Sequence, residues 1–274
     1  MAEFAGDYDL QYVHIRNHRG EGLQDTDGEN ISDMVVELNI YESLYNHAIT
    51  GSLVIADTRN LISNLPIQGT EQLSFRLATK LDSYSHEDSI DFTEATGNPM
   101  HVYKLTNKEQ PNDTTQTYTL HFCSREFLRN MRTKVSKSYT GRMDEAVNSI
   151  FKDSEYLDSK KKLFFQKTRN QDKVVIPNMT PIDAIKMLGK RSLPSNLNDT
   201  GGAGYLFYET TKGFHFRSFE SLCVTKSGEQ VKAKQKFRYI YVPVDRFGHE
   251  VLDDEGKKLD KIMEGFKSVI QYKF

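Results

Sequence analysis

The sequence predicts an α+β protein in three parts: an antiparallel β-barrel or sandwich over residues 1–127, a mixed helix-and-hairpin domain over 128–222, and C-terminal strands over 223–274. Three observations lead there. Apolar residues recur at every second position as far as Cys123, they recur at helical spacing between Thr140 and Ser192, and two aromatic-rich runs flank the turn Thr211-Lys212-Gly213.

In the first part, Met34, Val36, Leu38 and Ile40 point to one side of an extended chain while Val35, Glu37, Asn39 and Tyr41 point to the other, which is the period of a half-buried strand. The same alternation appears in Leu53 and Ile55, in Leu73, Phe75 and Leu77, from Met100 to Leu105, and in Tyr118, Leu120 and Phe122. Asp57 is placed to cap a short helical turn over 58–63, which Pro66 and Gly69 end before the next strand. Residues 81–99 show no clear buried face and carry five acids. They read as a long acidic surface loop or an extended hairpin tip between strands, with Asp82, His86, Glu87, Asp88, Asp91 and Glu94 as candidate interface residues.

Helices enter the second part. Ser124 is placed to cap a helix over 125–131, and Met143, Ala146, Val147, Ile150 and Phe151 form one apolar stripe between Arg142 and Lys152. Thr180-Pro181-Ile182-Asp183 combines a hydroxyl N-cap, a proline at the first helical position and an acid three residues after the cap. Ile185 and Leu188 then face a core until Pro194 forbids continuation, and 194–204 have the composition of a loop. A hairpin is expected from 205–209 and 214–219, with further strands at 237–242 and 266–274. The last of these ends the chain with nothing after it to pair, so a second barrel is either completed less fully or belongs to a longer chain.

The formal net charge of −2 hides a polarity. Residues 1–100 hold 5 Lys/Arg against 17 Asp/Glu, residues 129–173 hold 12 against 6, and residues 226–274 hold 11 against 8. A balanced total argues against a surface built throughout for nucleic acid or acidic membrane. The N-terminus lacks the basic flank and apolar core of a signal peptide, and no stretch approaches the ~20 apolar residues of a transmembrane helix. The chain therefore reads as soluble and not secreted by the general route, with Cys123 and Cys223 as buried thiols of a reducing compartment.

Motifs that carry chemistry are incomplete. His14 and His18 stand four apart in a strand pattern without the glutamate of a helical zinc motif, and Asp25-Thr26-Asp27-Gly28-Glu29 is half a calcium loop. Gly201-Gly202-Ala203-Gly204 follows a helix and lacks the Lys-Ser/Thr that completes a phosphate loop. The acids of the 82–94 region have no partner placed by pattern, and neither a nucleophile elbow nor a Cys-His pair is present. No catalytic residue, metal or cofactor is expected. Lys160, Lys161 and Lys162 beside Leu163, Phe164 and Phe165 mix cations with aromatics as single-strand nucleic-acid binders do, although a solvated basic edge explains them more simply.

One segment goes further. Val36-Glu37-Leu38-Asn39-Ile40-Tyr41-Glu42-Ser43-Leu44-Tyr45, then Gly51-Ser52-Leu53-Val54-Ile55 and Asp57, then Leu61 and Gly69-Thr70-Glu71-Gln72-Leu73, resembles the first barrel of the baseplate hub protein of contractile-tailed bacteriophages. The order of later elements, to about residue 220, resembles the helix-containing domain that this family inserts between two barrels. The resemblance implies a tail-tube-like barrel and a non-enzymatic homotrimer whose ring joins the tail tube protein to the central spike protein, with other baseplate proteins around it. It also implies a virion protein made in the host cytoplasm, without membrane contact, through whose channel DNA passes only as cargo. Acids on the open strand faces, Glu37 and Glu71, are then candidates for the lumen, where they repel a phosphate backbone. The reading from another class is a tail-associated enzyme acting on peptidoglycan or carbohydrate, against which the absence of Trp weighs.

Overall fold

Alternating apolar residues build the first part as strands β1 (Tyr8–Arg16), β2 (Val35–Tyr41) and β3 (Thr50–Asp57), a short helix α1 (Leu61–Asn64), and strands β4 (Gln72–Thr79), β5 (Ile90–Phe92), β6 (Met100–Asn112) and β7 (Thr115–Cys123). The computed structural model describes residues 8–17, 30–64, 67–79, 89–112, 114–169, 171–195, 204–227 and 230–233. It divides into two units, 1–222 and 223–274.

The strands form one antiparallel sheet in the order β1-β4-β6-β7-β3-β2. β6 pairs with β4 only at Gln72 and Leu73, and β5 takes the same edge farther along, opposite Phe75 to Leu77. Val13 and Ile15 at one end of this path and Leu38 and Ile40 at the other pack on one core with Leu53, Phe75, Tyr118 and Phe122. The two ends also meet through hydrogen bonds. The Ile31 amide donates to the Val13 carbonyl at 2.9 Å, and the Val13 amide donates to Asn30 Oδ1 at 3.0 Å.

Two local expectations change here. Val36 is 66% exposed while Val35 packs on the core, because the β2–β3 register shifts between Val35 and Glu37. The extra residue is a bulge: it turns Val35 inward and Val36 outward, while Leu38 and Ile40 beyond it keep their expected inward positions. Residues 81–99 are not loop throughout, since Phe92 is buried and Ile90 packs beside it as β5. A three-residue strand is too short for its period to stand out in sequence.

After β7 come α2 (Arg125–Arg132), β8 (Val135–Arg142), α3 (Met143–Lys152), β9 (Leu163–Phe165), β10 (Gln171–Met179), α4 (Pro181–Arg191), β11 (Tyr205–Thr210) and β12 (Gly213–Ser218). A second hydrophobic cluster joins the α3 stripe and Ile182, Ile185 and Leu188 of α4 to Val174 and Ile176 and to Phe207, Phe214 and Phe216. Thr180 caps α4 as its sequence predicts, accepting from the Asp183 amide at 3.3 Å. Ser124 precedes α2, but its buried hydroxyl makes no capping bond. The sequence does not show the β8–β10 ribbon because its buried apolar residues are few, Val135 on β8 and Val174 and Ile176 on β10, too few repeats for a period of two to stand out. β11 and β12 form the expected hairpin, and β9 joins it in parallel on the far side of β12.

Helix α5 (Phe219–Cys223) follows β12, and the second unit contains the hairpin β13 (Val224–Ser227) with β14 (Gln230–Ala233). The strands expected at 237–242 and 266–274 lie outside the described residues, as does the burial of Cys223. No helix among the described residues is long and apolar enough to cross a membrane.

Gly51 has a specific reason to be glycine. A Cβ there would collide with the Phe122 ring and the Asn39 carbonyl oxygen, so the missing side chain lets Phe122 lie across β3. Gly51→Ala is expected to lower stability by about 1–3 kcal/mol through overpacking, measured as a lower urea midpoint with unchanged slope.

Candidate functional site

The most unusual chemistry lies where the two hydrophobic clusters approach. Helix α2 is inverted, because its one buried side chain is Glu126 while Met131 is exposed. β11 puts Glu209 on the same side as Tyr205 and Phe207, so the strand's own alternation carries a carboxylate inward. Lys161, just before β9, reaches both acids: its Nζ lies 2.6 Å from Glu209 Oε1 and 3.3 Å from Glu126 Oε2.

The remaining valences are mostly occupied. Glu209 Oε2 accepts from the Ile49 amide at 2.8 Å, and Glu126 Oε1 accepts from Ser159 Oγ at 2.6 Å. Glu126 Oε2 has the Lys161 charge beside it but no aligned hydrogen bond. Burial pushes the Glu209 carboxyl upward, with Lys161 opposing. Burial pulls Lys161 down, yet its two carboxylates together outweigh that and hold it above the usual lysine value. The neighbouring Cys123 thiol is pushed up to about 12, first by burial and then by Glu209. A lysine held protonated and a thiol held neutral are poor nucleophiles, so the cluster is suited to joining segments and not to covalent catalysis.

Beside it opens a cleft of about 330 Å³, lined by Glu126 and Lys161 together with Gln72, His101, Arg125 and Lys160. Gln72 and His101 are cross-strand neighbours on β4 and β6. Arg125 is fixed by two 2.7 Å bonds to Asp158, one to its carbonyl and one to its carboxylate.

Of the expected interface residues, Asp91 and Glu94 lie among the described ones. Asp82, His86, Glu87 and Asp88 lie outside the described residues. Asp91 accepts from the Thr93 amide and hydroxyl at 3.0 and 2.7 Å, and Glu94 pairs with Arg16 at 2.6 Å. Glu37 is exposed on β2 and accepts from Asn39 Nδ2 at 2.7 Å. Glu71 departs from its expected open face. It is only 1% exposed, and its carboxylate accepts the amides of Gln68, Gly69 and Thr70 at 2.6, 2.8 and 3.0 Å. A carboxylate just before a strand gathers the loop amides that would otherwise be buried without partners, which turns it inward.

The lysine run does not form one cationic face, since Lys161 is buried between exposed Lys160 and Lys162. Lys162 sits over the Phe164 ring at 4.6 Å. His18, the half calcium loop and Gly201 to Ala203 lie outside the described residues. Among the described residues no three His, Cys, Asp or Glu are grouped to hold a metal ion.

No protein-family model matches the chain, and no curated protein matches it in sequence. Among solved structures, it is similar to the 43 kDa tail protein of prophage MuSo2 from Shewanella oneidensis, at 11% identity over 76% of this chain and 54% of that one, with a TM-score of 0.45. It is also similar to prophage tail protein gp18 from Listeria monocytogenes EGD-e, at 11% identity over 87% and 64%, with a TM-score of 0.44. A third is the Francisella PdpA-VgrG complex, at 10% identity over 79% and 29%, with a TM-score of 0.45. The chain thus spans about half of the MuSo2 protein's length. The chain is similar to phage tail proteins both in the 31–73 segment and in the first two of these structures.

Removing one member of a buried ionic cluster strands the others. Glu209→Ala is expected to cost about 3–5 kcal/mol, and Glu209→Gln, which keeps an acceptor for Ile49, less. The raised Glu209 value means that its contribution is present below the unfolded carboxylate value and lost as pH rises through the folded one. Urea midpoints followed upward from the ordinary carboxylate range are therefore expected to fall less steeply for Glu209→Gln than for the parent. The raised Lys161 value holds its contribution through neutral pH and releases it only in strong alkali.

Proposed function

We propose that the chain is a structural subunit of a contractile phage tail, a baseplate hub component forming a trimeric ring between the tail tube and the central spike. The observation that carries this reading is the edge strand β2. It ends the sheet, with β3 as its only ladder partner among the described residues, and it exposes Val36 (66%) and Tyr41 (54%), followed by Leu44 and Tyr45 (74%) in the connector. An apolar open edge is a template for another chain unless an assembly covers it. This strand also lies in the segment whose residues resemble the hub family.

Further features support the same architecture. The Asn30–Ile31 bonds to Val13 support a partly closed barrel, drawn together ahead of β2 and leaving β2 itself open, and the two hydrophobic clusters with the unit boundary after 222 support a division into 1–127, 128–222 and 223–274. In such a ring, Asp82, His86, Glu87, Asp88, Asp91 and Glu94 would meet a neighbouring ring, and Glu37 would face a channel through which DNA passes. The partners would be the tube, the spike and other baseplate proteins, in the virion. An enzymatic reading has less support, since Asp91 and Glu94 are already tied to Thr93 and Arg16.

Light scattering at micromolar concentration is expected to give a trimer, alone or with purified tube or spike protein, and Val36→Lys with Tyr41→Lys is expected to shift it toward monomer. A chain that stays monomeric with those partners overturns the hub reading. Deleting 82–88, which leaves β5 whole, is expected to keep the urea midpoint within about 1 kcal/mol while weakening docking to a neighbouring ring.

A further inference from the structure

We propose that the cleft between β4, β6 and α2 is a binding site for a small oxyanion, a carboxylate or phosphate, held by Lys160, His101 and Gln72 above the buried Glu126–Lys161 pair. Three observations carry this. Most charged groups at the cleft have internal partners: Glu94 is matched by Arg16 at 2.6 Å, Arg125 by Asp158 at 2.7 Å, and Glu126 by Lys161 at 3.3 Å. Lys160 is exposed and, among the described residues, in no ion pair, acting on Asp158 only through its field, so its ammonium is available to a ligand in the cleft.

The neutral lining groups are likewise unused. Among the described residues, the Gln72 side-chain amide and the His101 ring have no hydrogen-bond partner, although β4 and β6 hold them side by side. Together with Lys160 they present donors from three separate segments to one space. Such convergence of polar groups in a preformed concavity is the usual form of a small-ligand site.

The cations of the lining act on the same ring. His101 is held below its usual value, first by burial and then by Arg125, with Lys161 acting in the same direction and Glu126 opposing. An anion bound beside it would offset the Arg125 and Lys161 charges and raise it again. Glu209, the second carboxylate on Lys161, lies away from the lining, toward Ile49 and Cys123. Arg125 retains guanidinium donors beyond the two used on Asp158.

The test is isothermal titration of the full chain at pH 7 and low ionic strength with succinate, with inorganic phosphate and with a capped Asp-Glu peptide. One saturable site per chain is expected, weakened about tenfold or more by Lys160→Gln, as loss of a charge-assisted hydrogen bond implies. Lys162→Gln, which removes an equally exposed lysine outside the cleft, is expected to leave affinity unchanged. In the parent, the His101 Cε1–H resonance, assigned with His101→Gln, is expected to titrate at higher pH when the anion is bound. Tighter binding of the peptide than of either free anion would identify an acidic side chain of a partner as the natural source, and the reverse order a soluble anion. Absence of saturable binding by all three probes, or equal weakening by the two lysine substitutions, overturns the proposal. Neither result bears on the trimer, which light scattering reads separately.

Discussion

One buried ammonium group holds the larger unit together. Lys161 stands between Glu126 and Glu209, and Glu209 in turn receives the Ile49 amide, so a single ionic cluster links helix α2, the strand β11 and the connector that leads into β3. Its desolvation cost is large, and a well-packed apolar replacement is often as stable. What an ionic cluster adds is direction: three charges are satisfied in one arrangement only, so the two hydrophobic clusters meet in a defined register and cannot slide as two greasy surfaces would. That the cluster serves specificity more than stability is a hypothesis, and a stable but loosely ordered Met/Leu/Gln replacement would bear it out.

The same device recurs on a smaller scale. Asp57 accepts the amides of Arg59 and Leu61, Glu71 accepts three consecutive loop amides, and Asp144 accepts both the amide and the hydroxyl of Thr168. Each is almost fully buried. Donors gathered on each carboxylate fill its lone pairs and offset the cost of burying it. The acidic balance of the first hundred residues therefore overstates their surface charge, since Asp57 and Glu71 are spent on folding loops. Any repulsion of a phosphate backbone has to come from the acids that remain outside, such as Glu37.

Assembly and ligand chemistry occupy different places in this fold. The exposed apolar residues of β2 and its connector are surface features of the sheet's open edge. The polar cleft lies at the junction around Lys161. An edge tolerates a broad partner, because backbone pairing is indifferent to most side chains, whereas the cleft depends on individual donors. Changes at one are thus expected to leave the other largely intact, apart from substitutions that disturb the ionic cluster.

By itself the sequence determined the elements whose pattern is local and long: the strands carrying Leu53, Phe75 and Phe122, the apolar stripe of α3, the Thr180 cap of α4, and the hairpin around Gly213. Each rests on contacts within a few residues or on a period repeated several times, which is information the chain carries without its fold. The bulge at Val36, the three-residue β5 and the one-sided ribbon of β8 and β10 depended on what lies across from them. The inward turn of Glu71 and the meeting of Glu126, Lys161 and Glu209 were decided only by tertiary structure. Glu126 and Glu209 are 83 positions apart with Lys161 between them, and no spacing rule joins residues that distant. Glu209 alone left a trace, as an acid in phase with Tyr205 and Phe207, but a buried charge can be told from a misplaced one only when its partner is in view.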